Sequence, residues 1–164
     1  ICNEDISNES LKFGFSKMLN LSGVECIINR ITYVGELGFE IYVPYNKLSE
    51  IFQKLYVKNG SAPIKLAGYH ALNSLRMEKG YLHWGHDIGI EENPFEAGVG
   101  FCVNFKKESP FLGQTALEEK KDSAMKKRKV NFAISNNNLL MYHNEPIFFD
   151  GKIVGDITSG MYGV

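Results

Sequence analysis

The stretch "RITYVGELGFEIYVP", residues 30–44, decides how the first half of this chain is read. β-branched and aromatic residues stand on both sides of Gly35-Glu36-Leu37-Gly38, and a short glycine turn between such runs signals a β-hairpin. Working outward, residues 22–34, "SGVECIINRITYV", and 39–43, "FEIYV", are predicted as its two strands. A hairpin closing on Glu36-Leu37 puts Tyr33 directly across from Glu40, so that a phenol and a carboxylate share one face. Periodicity alone favours the plainer assignment, a solvent-facing Glu40 and a packing Tyr33, and does not choose a ligand role over it.

Beyond the hairpin, Leu48, Ile51, Phe52, Leu55 and Tyr56 recur at i, i+3, i+4 spacing, which predicts an amphipathic helix with Asn46 capping its start and Gly60 its end. A second helix is predicted in "GYHALNSLRMEKG", with Gly80 as its stop. "YLHWGHDIGIEENPFEAG" is polar, glycine-rich and aperiodic, hence a structured connection, with a boundary between residues 88 and 108. "GFCVNF", "KVNFAIS", "EPIFFDG" and "KIVGDITSG" then read as short strands, with a helix in "GQTALEEKK". The expected fold class is α+β: an α+β part over 1–88, then a β-barrel or sandwich over 89–164, truncated at both ends.

Composition narrows the function classes. With 164 residues, 44% apolar and 23% charged, and a formal charge of −1, the chain has the makeup of a globular domain without net attraction for nucleic acid or an anionic membrane. The short run "KKRK", 126–129, is expected to be solvated surface. No apolar run approaches the roughly 20 residues of a membrane-spanning helix, so the expectation is a soluble, intracellular protein of cytoplasm or mitochondrial matrix. Cys2, Cys26 and Cys102 are scattered and read as packing residues of a reducing compartment. The start at Ile1 and the stop after "TSGMYGV" suggest a fragment of a longer polypeptide. His83 and His86 have H-x-x-H spacing, but with only Asp87 beside them they are assigned to a polar loop and no metal is expected. Arg76 is expected in a surface ion pair, with Glu36 a possible partner. No Ser-His-Asp order, phosphate loop or dinucleotide fingerprint is present.

"RITYVGELGFEIYVP", "AGYHALNSLRMEKGYLHWGHDI", "NPFEAGVGFCV" and "PFLGQTAL", in this order and spacing, resemble the glycine-cleavage T-protein (aminomethyltransferase) family. The resemblance is strongest to the folate-binding C-terminal region of dimethylglycine and sarcosine dehydrogenases. It implies a folate-binding part followed by a C-terminal β-barrel, and folate-dependent one-carbon transfer yielding 5,10-methylenetetrahydrofolate. It further implies that Tyr33 and Glu40 line a tetrahydrofolate pocket, with Trp84 and Phe101 as further aromatic walls. A carboxylate accepting paired N–H groups while rings cover a flat heterocycle is chemistry suited to a reduced pterin. The implied partners are folate, an aminomethyl or imine intermediate and the rest of the same polypeptide, with neither nucleic acid nor membrane. FAD would belong to a separate N-terminal domain in a dehydrogenase. Two departures limit the transfer: Leu72 stands where T-proteins place an arginine for the folate tail, and the family's catalytic aspartate lies upstream of Ile1, so no catalytic residue is assigned here. Relatives of this fold also serve as a non-catalytic regulatory subunit of pyruvate dehydrogenase phosphatase or as iron-sulfur assembly factors, which is the alternative function.

Overall fold

Alternation of apolar and polar residues builds the first sheet. Strand β1 (Ser16–Leu21) and strand β2 (Val24–Asn29) pair antiparallel, with Leu19 opposite Cys26 and Leu21 opposite Val24. Those four, together with Ile28, are buried on one face, while Ser16, Met18, Asn20, Glu25 and Ile27 line the other. The connection is a two-residue turn at Ser22 and Gly23, both at positive φ (52° and 91°), which is the twist a tight hairpin requires. The Asn20 side chain closes it by accepting from the Gly23 N–H at 2.7 Å. Strand β3 (Glu40–Tyr42) adds to the other edge of β2, giving the order β1-β2-β3.

The computed structural model describes residues 1–57, 64–136 and 138–163. These divide into two compact units, Ile1–Tyr81 with Gly163, and Leu82–Tyr162. In the first, helix α1 (Leu48–Val57), preceded by a 3-10 turn at Tyr45–Lys47, contributes Ile51 to the core formed by Leu11, Leu19, Leu21, Val24, Cys26 and Ile28. Asn46 lies inside that 3-10 turn instead of capping the helix, and the expected stop at Gly60 lies outside the described residues. Helix α2 (Tyr69–Glu78) ends at the expected place, where Gly80 takes a positive φ of 73°.

The second unit holds helix α3 (Gln114–Lys121) and one antiparallel pair, strands β4 (Pro146–Phe149) and β5 (Lys152–Asp156). "GFCVNF" is a 3-10 turn at Gly100–Cys102, not a strand. The ring of Phe95 lies against Gly100 so closely that a Cβ there would come within 2.7 Å of it. Phe95, Phe105 and Phe111 form a small aromatic cluster, with ring centroids 6.4 and 6.2 Å apart along the series. "KVNFAIS" is not assigned as a strand either. The chain is thus mixed α/β, as expected, and among the described residues its second unit contains one two-stranded sheet. Among the described residues no helix is long and apolar enough to cross a membrane.

Candidate functional site

The outer face of the first sheet carries the candidate carboxylate. Register places Asn29, not Tyr33, opposite Glu40, with Ser16 next in the same row; Tyr42, Ile27 and Met18 form the adjacent row. The expected pairing of Tyr33 with Glu40 is therefore replaced. The β2-β3 ladder ends at Asn29 and Glu40, and residues 30–39 form a loop. At its start the Arg30 backbone pairs with Phe15 and Gly14 on the β1 side, and its side chain, 8% exposed, lies with the guanidinium 4.9 Å from the Phe39 ring centre and bonded to the Asn8 side chain.

This loop is held by the end of α2. Gly35 has a φ of 77°, and a Cβ there would meet the Lys79 side chain at 1.8 Å, so glycine fits both the conformation and the space. Glu36 lies 4.0 Å from the Lys79 ammonium. Tyr33, half-buried, stacks near-parallel on Tyr81 with centroids 6.3 Å apart. Arg76, expected at the surface, is buried at 3% exposed, and it donates to the Tyr81 carbonyl at 3.1 Å and the Asn73 side chain at 3.3 Å, tying helix to loop. Tyr33 and Glu40 thus share the first unit but belong to different local structures, a supported loop and an exposed strand.

Glu40 has a neighbour that hairpin counting missed. The Tyr42 hydroxyl donates to Glu40 Oε2 at 2.8 Å, since residues two apart on a strand face the same way. The carboxylate raises the Tyr42 phenol above its ordinary value by favouring the protonated donor. The "E-x-Y" spacing was the available signal, once "EIY" was taken as a strand.

Within the second unit, Trp84 is exposed on the loop 83–88 and Phe101 is exposed in the 3-10 turn. The loop is closed by Gly85 N–H to Ile88 O at 2.7 Å and Asp87 N–H to His83 O at 2.8 Å. Asp87, buried, accepts from His83 N–H at 2.8 Å, Thr158 Oγ1 at 2.7 Å and Ser159 Oγ at 2.6 Å. Lys129 donates to the Asp87 carbonyl at 2.9 Å and to the Thr158 hydroxyl. Lys127 pairs with Glu92 at 2.6 Å. The run "KKRK" is therefore not simply solvated surface; two of its lysines bind the connection 87–92. His86 stacks on His143 at 4.4 Å, and among the described residues no cluster of three or more His, Cys, Asp or Glu is placed to hold a metal.

The chain belongs to the GCVT N-terminal domain family, which it matches over residues 1–107. The family domain matched is thus the N-terminal one, which corrects the expected assignment to a C-terminal region. The chain is 36% identical over 160 residues to 4-methylaminobutanoate oxidase (formaldehyde-forming) of Paenarthrobacter nicotinovorans, covering 98% of this chain and 19% of that protein. It is 33% identical over 162 residues to mitochondrial dimethylglycine dehydrogenase of Mus musculus, covering 99% and 19%. With the aminomethyltransferase of Halothermothrix orenii it shares 36% over 155 residues, 94% of this chain and 43% of that protein. The chain therefore spans about a fifth of the oxidase and dehydrogenase and less than half of the transferase.

Proposed function

We propose that this chain is a tetrahydrofolate-binding part of an aminomethyltransferase-like enzyme of folate-dependent one-carbon transfer. The observation that carries the proposal is Glu40: an exposed carboxylate on an open sheet face, oriented by the Tyr42 hydroxyl. An ionised carboxylate presents two acceptor oxygens, which suits the adjacent ring N–H and exocyclic amine of a reduced pterin. Tyr33, stacked on Tyr81, offers the aromatic surface that a flat heterocycle needs. Trp84 and Phe101, both exposed rings of the second unit, are further proposed contacts by the family resemblance. The division into a folate-binding part, 1–88, and a barrel part, 89–164, is proposed on the same ground.

When bound, tetrahydrofolate supplies the acceptor of the one-carbon unit, with 5,10-methylenetetrahydrofolate as product. The residues of this chain bind and orient: Glu40 fixes the rotation of the pterin in its plane, and Tyr33 limits its tilt, a contribution of proximity and not of proton transfer. No residue of this chain is assigned to FAD, which a dehydrogenase would carry elsewhere. The partners are the folate, the aminomethyl or imine intermediate and the rest of the polypeptide.

Calorimetric titration of tetrahydrofolate into the protein that carries this chain is the test. Glu40→Gln should weaken binding by about 1.5–3 kcal/mol, because an amide NH₂ then faces a pterin donor. Tyr33→Phe should cost less, since its ring remains. In a dehydrogenase, amine oxidation should continue in Glu40→Gln while more formaldehyde is released. Unchanged affinity in Glu40→Gln would leave Glu40 as ordinary strand surface.

A further inference from the structure

The exposed face of the first sheet carries two side-chain hydrogen bonds. The Ser16 hydroxyl donates to Asn29 Oδ1 at 2.7 Å across the β1-β2 pair, and Asn29 is the cross-strand partner of Glu40. On β3 the Tyr42 hydroxyl donates to Glu40 Oε2 at 2.8 Å.

We propose that Tyr42 is a positioning residue that fixes the Glu40 carboxylate for a ligand donating two adjacent N–H groups. A carboxylate on an exposed three-residue strand would otherwise rotate freely about its side-chain torsions, and a ligand would have to arrest that motion on binding. One bond to Oε2 holds the plane of the carboxylate while leaving Oε1 and the second lone pair of Oε2 as acceptors. The donor is a neutral hydroxyl, so it orients the acceptor without adding a positive charge that would repel a donating amine. The proposal rests on the folate reading for the identity of the ligand, but not for the coupling between Tyr42 and Glu40.

The test is a double-mutant cycle on the protein that carries this chain, read by titration of tetrahydrofolate. Tyr42→Phe should weaken binding about three- to tenfold, whereas Tyr42→Phe added to Glu40→Gln should change affinity less than about twofold. A structural role would weaken both backgrounds alike. The coupling has a second, ligand-free readout: ultraviolet pH titration of the Tyr42 phenol, taken as the difference between the wild type and Tyr42→Phe. That titration should fall toward the ordinary tyrosine value in Glu40→Gln. Equal effects of Tyr42→Phe in both backgrounds, or a phenol titration indifferent to Glu40, overturns the proposal. A wild type that does not bind tetrahydrofolate, with the phenol titration still coupled to Glu40, overturns the folate assignment alone.

Discussion

The two units reach order by opposite means. The first buries an aliphatic layer, Leu11, Leu19, Leu21, Val24, Cys26, Ile28 and Ile51, between its sheet and α1. In the second, the described residues that are buried are Ala97 and Asp87, and the second of these is a carboxylate. An apolar layer leaves the far side of a sheet chemically free, and the outer face of β1-β2-β3 carries the Ser16–Asn29 and Tyr42–Glu40 hydrogen bonds. A buried carboxylate spends its chemistry internally: Asp87 binds residues 83, 158 and 159 together and is thereby unavailable to a ligand. Burial in one unit frees a face for binding, while burial in the other consumes the polar group itself.

The largest expected effect lies in the aliphatic layer. Ile51, 1% exposed, is the single α1 residue fully buried against the sheet, and Ile51→Ala should destabilise the first unit by about 2–5 kcal/mol. Hydrogen exchange should show protection lost across β1 and β2 and retained in the second unit. Loss spread evenly over both would break the contrast.

Asp87→Ala sharpens the other side of the comparison. It leaves the His83 N–H and two hydroxyls without their acceptor, and because hydroxyls can rotate to water while a backbone N–H cannot, the expected cost is about 1–3 kcal/mol. Trp84 is the chain's one tryptophan and sits three residues away, so its emission reports on this loop directly. The expected outcome is increased quenching of Trp84 with little change in exchange at β1 and β2. Unaltered Trp84 emission would mean that the backbone bonds 83–87 and 85–88 hold the loop without the carboxylate.

What was legible in the sequence follows the same division. Helices α1 and α2 were readable because their apolar periods and the Gly80 stop are local signals. The β1-β2 hairpin was missed because its turn is Ser-Gly and its outer face carries Met18 and Ile27, which blur the alternation. The pairing of Glu40 failed because β2 and β3 are joined by a loop over residues 30–39, held by α2 through Gly35 and Lys79, and not by a tight turn at Glu36-Leu37. Glu40 itself could be singled out from its motif; Tyr42 could not until strand direction put it on the same face. The Asp87 hub joins residues more than 70 positions apart, and no local pattern encodes such a bond. The family motifs carried more than periodicity did, because they encode tertiary contacts that a single chain's pattern leaves out.

The smallest expected effect is the pH response of the Glu92–Lys127 pair. Lys127, followed by the Gly89 N–H, holds the Glu92 carboxyl below its ordinary value, and Glu92 in turn raises the Lys127 ammonium. The two shifts agree in direction, as a true pair should. A carboxyl lowered by folding adds stability that is present above its unfolded value and is lost as pH falls through the folded one. The raised lysine adds stability that is present below its unfolded value and lost as pH rises through its own folded value. Between these two limits the pair should give no slope. Lys127 is more than half exposed, so solvent screens the pair and its contribution at neutral pH should stay below about 1 kcal/mol. Lys127→Met should therefore move the melting temperature little at pH 7 and flatten the loss of stability on acidification. Some acid slope should remain, because Gly89 N–H still donates to Glu92 Oε2 at 2.7 Å. Melting curves of the wild type and Lys127→Met between pH 3 and pH 7 provide the check. Parallel curves across that range would assign the acid response of the second unit to groups other than Glu92, and would leave the Lys127 contact as surface geometry without energetic weight.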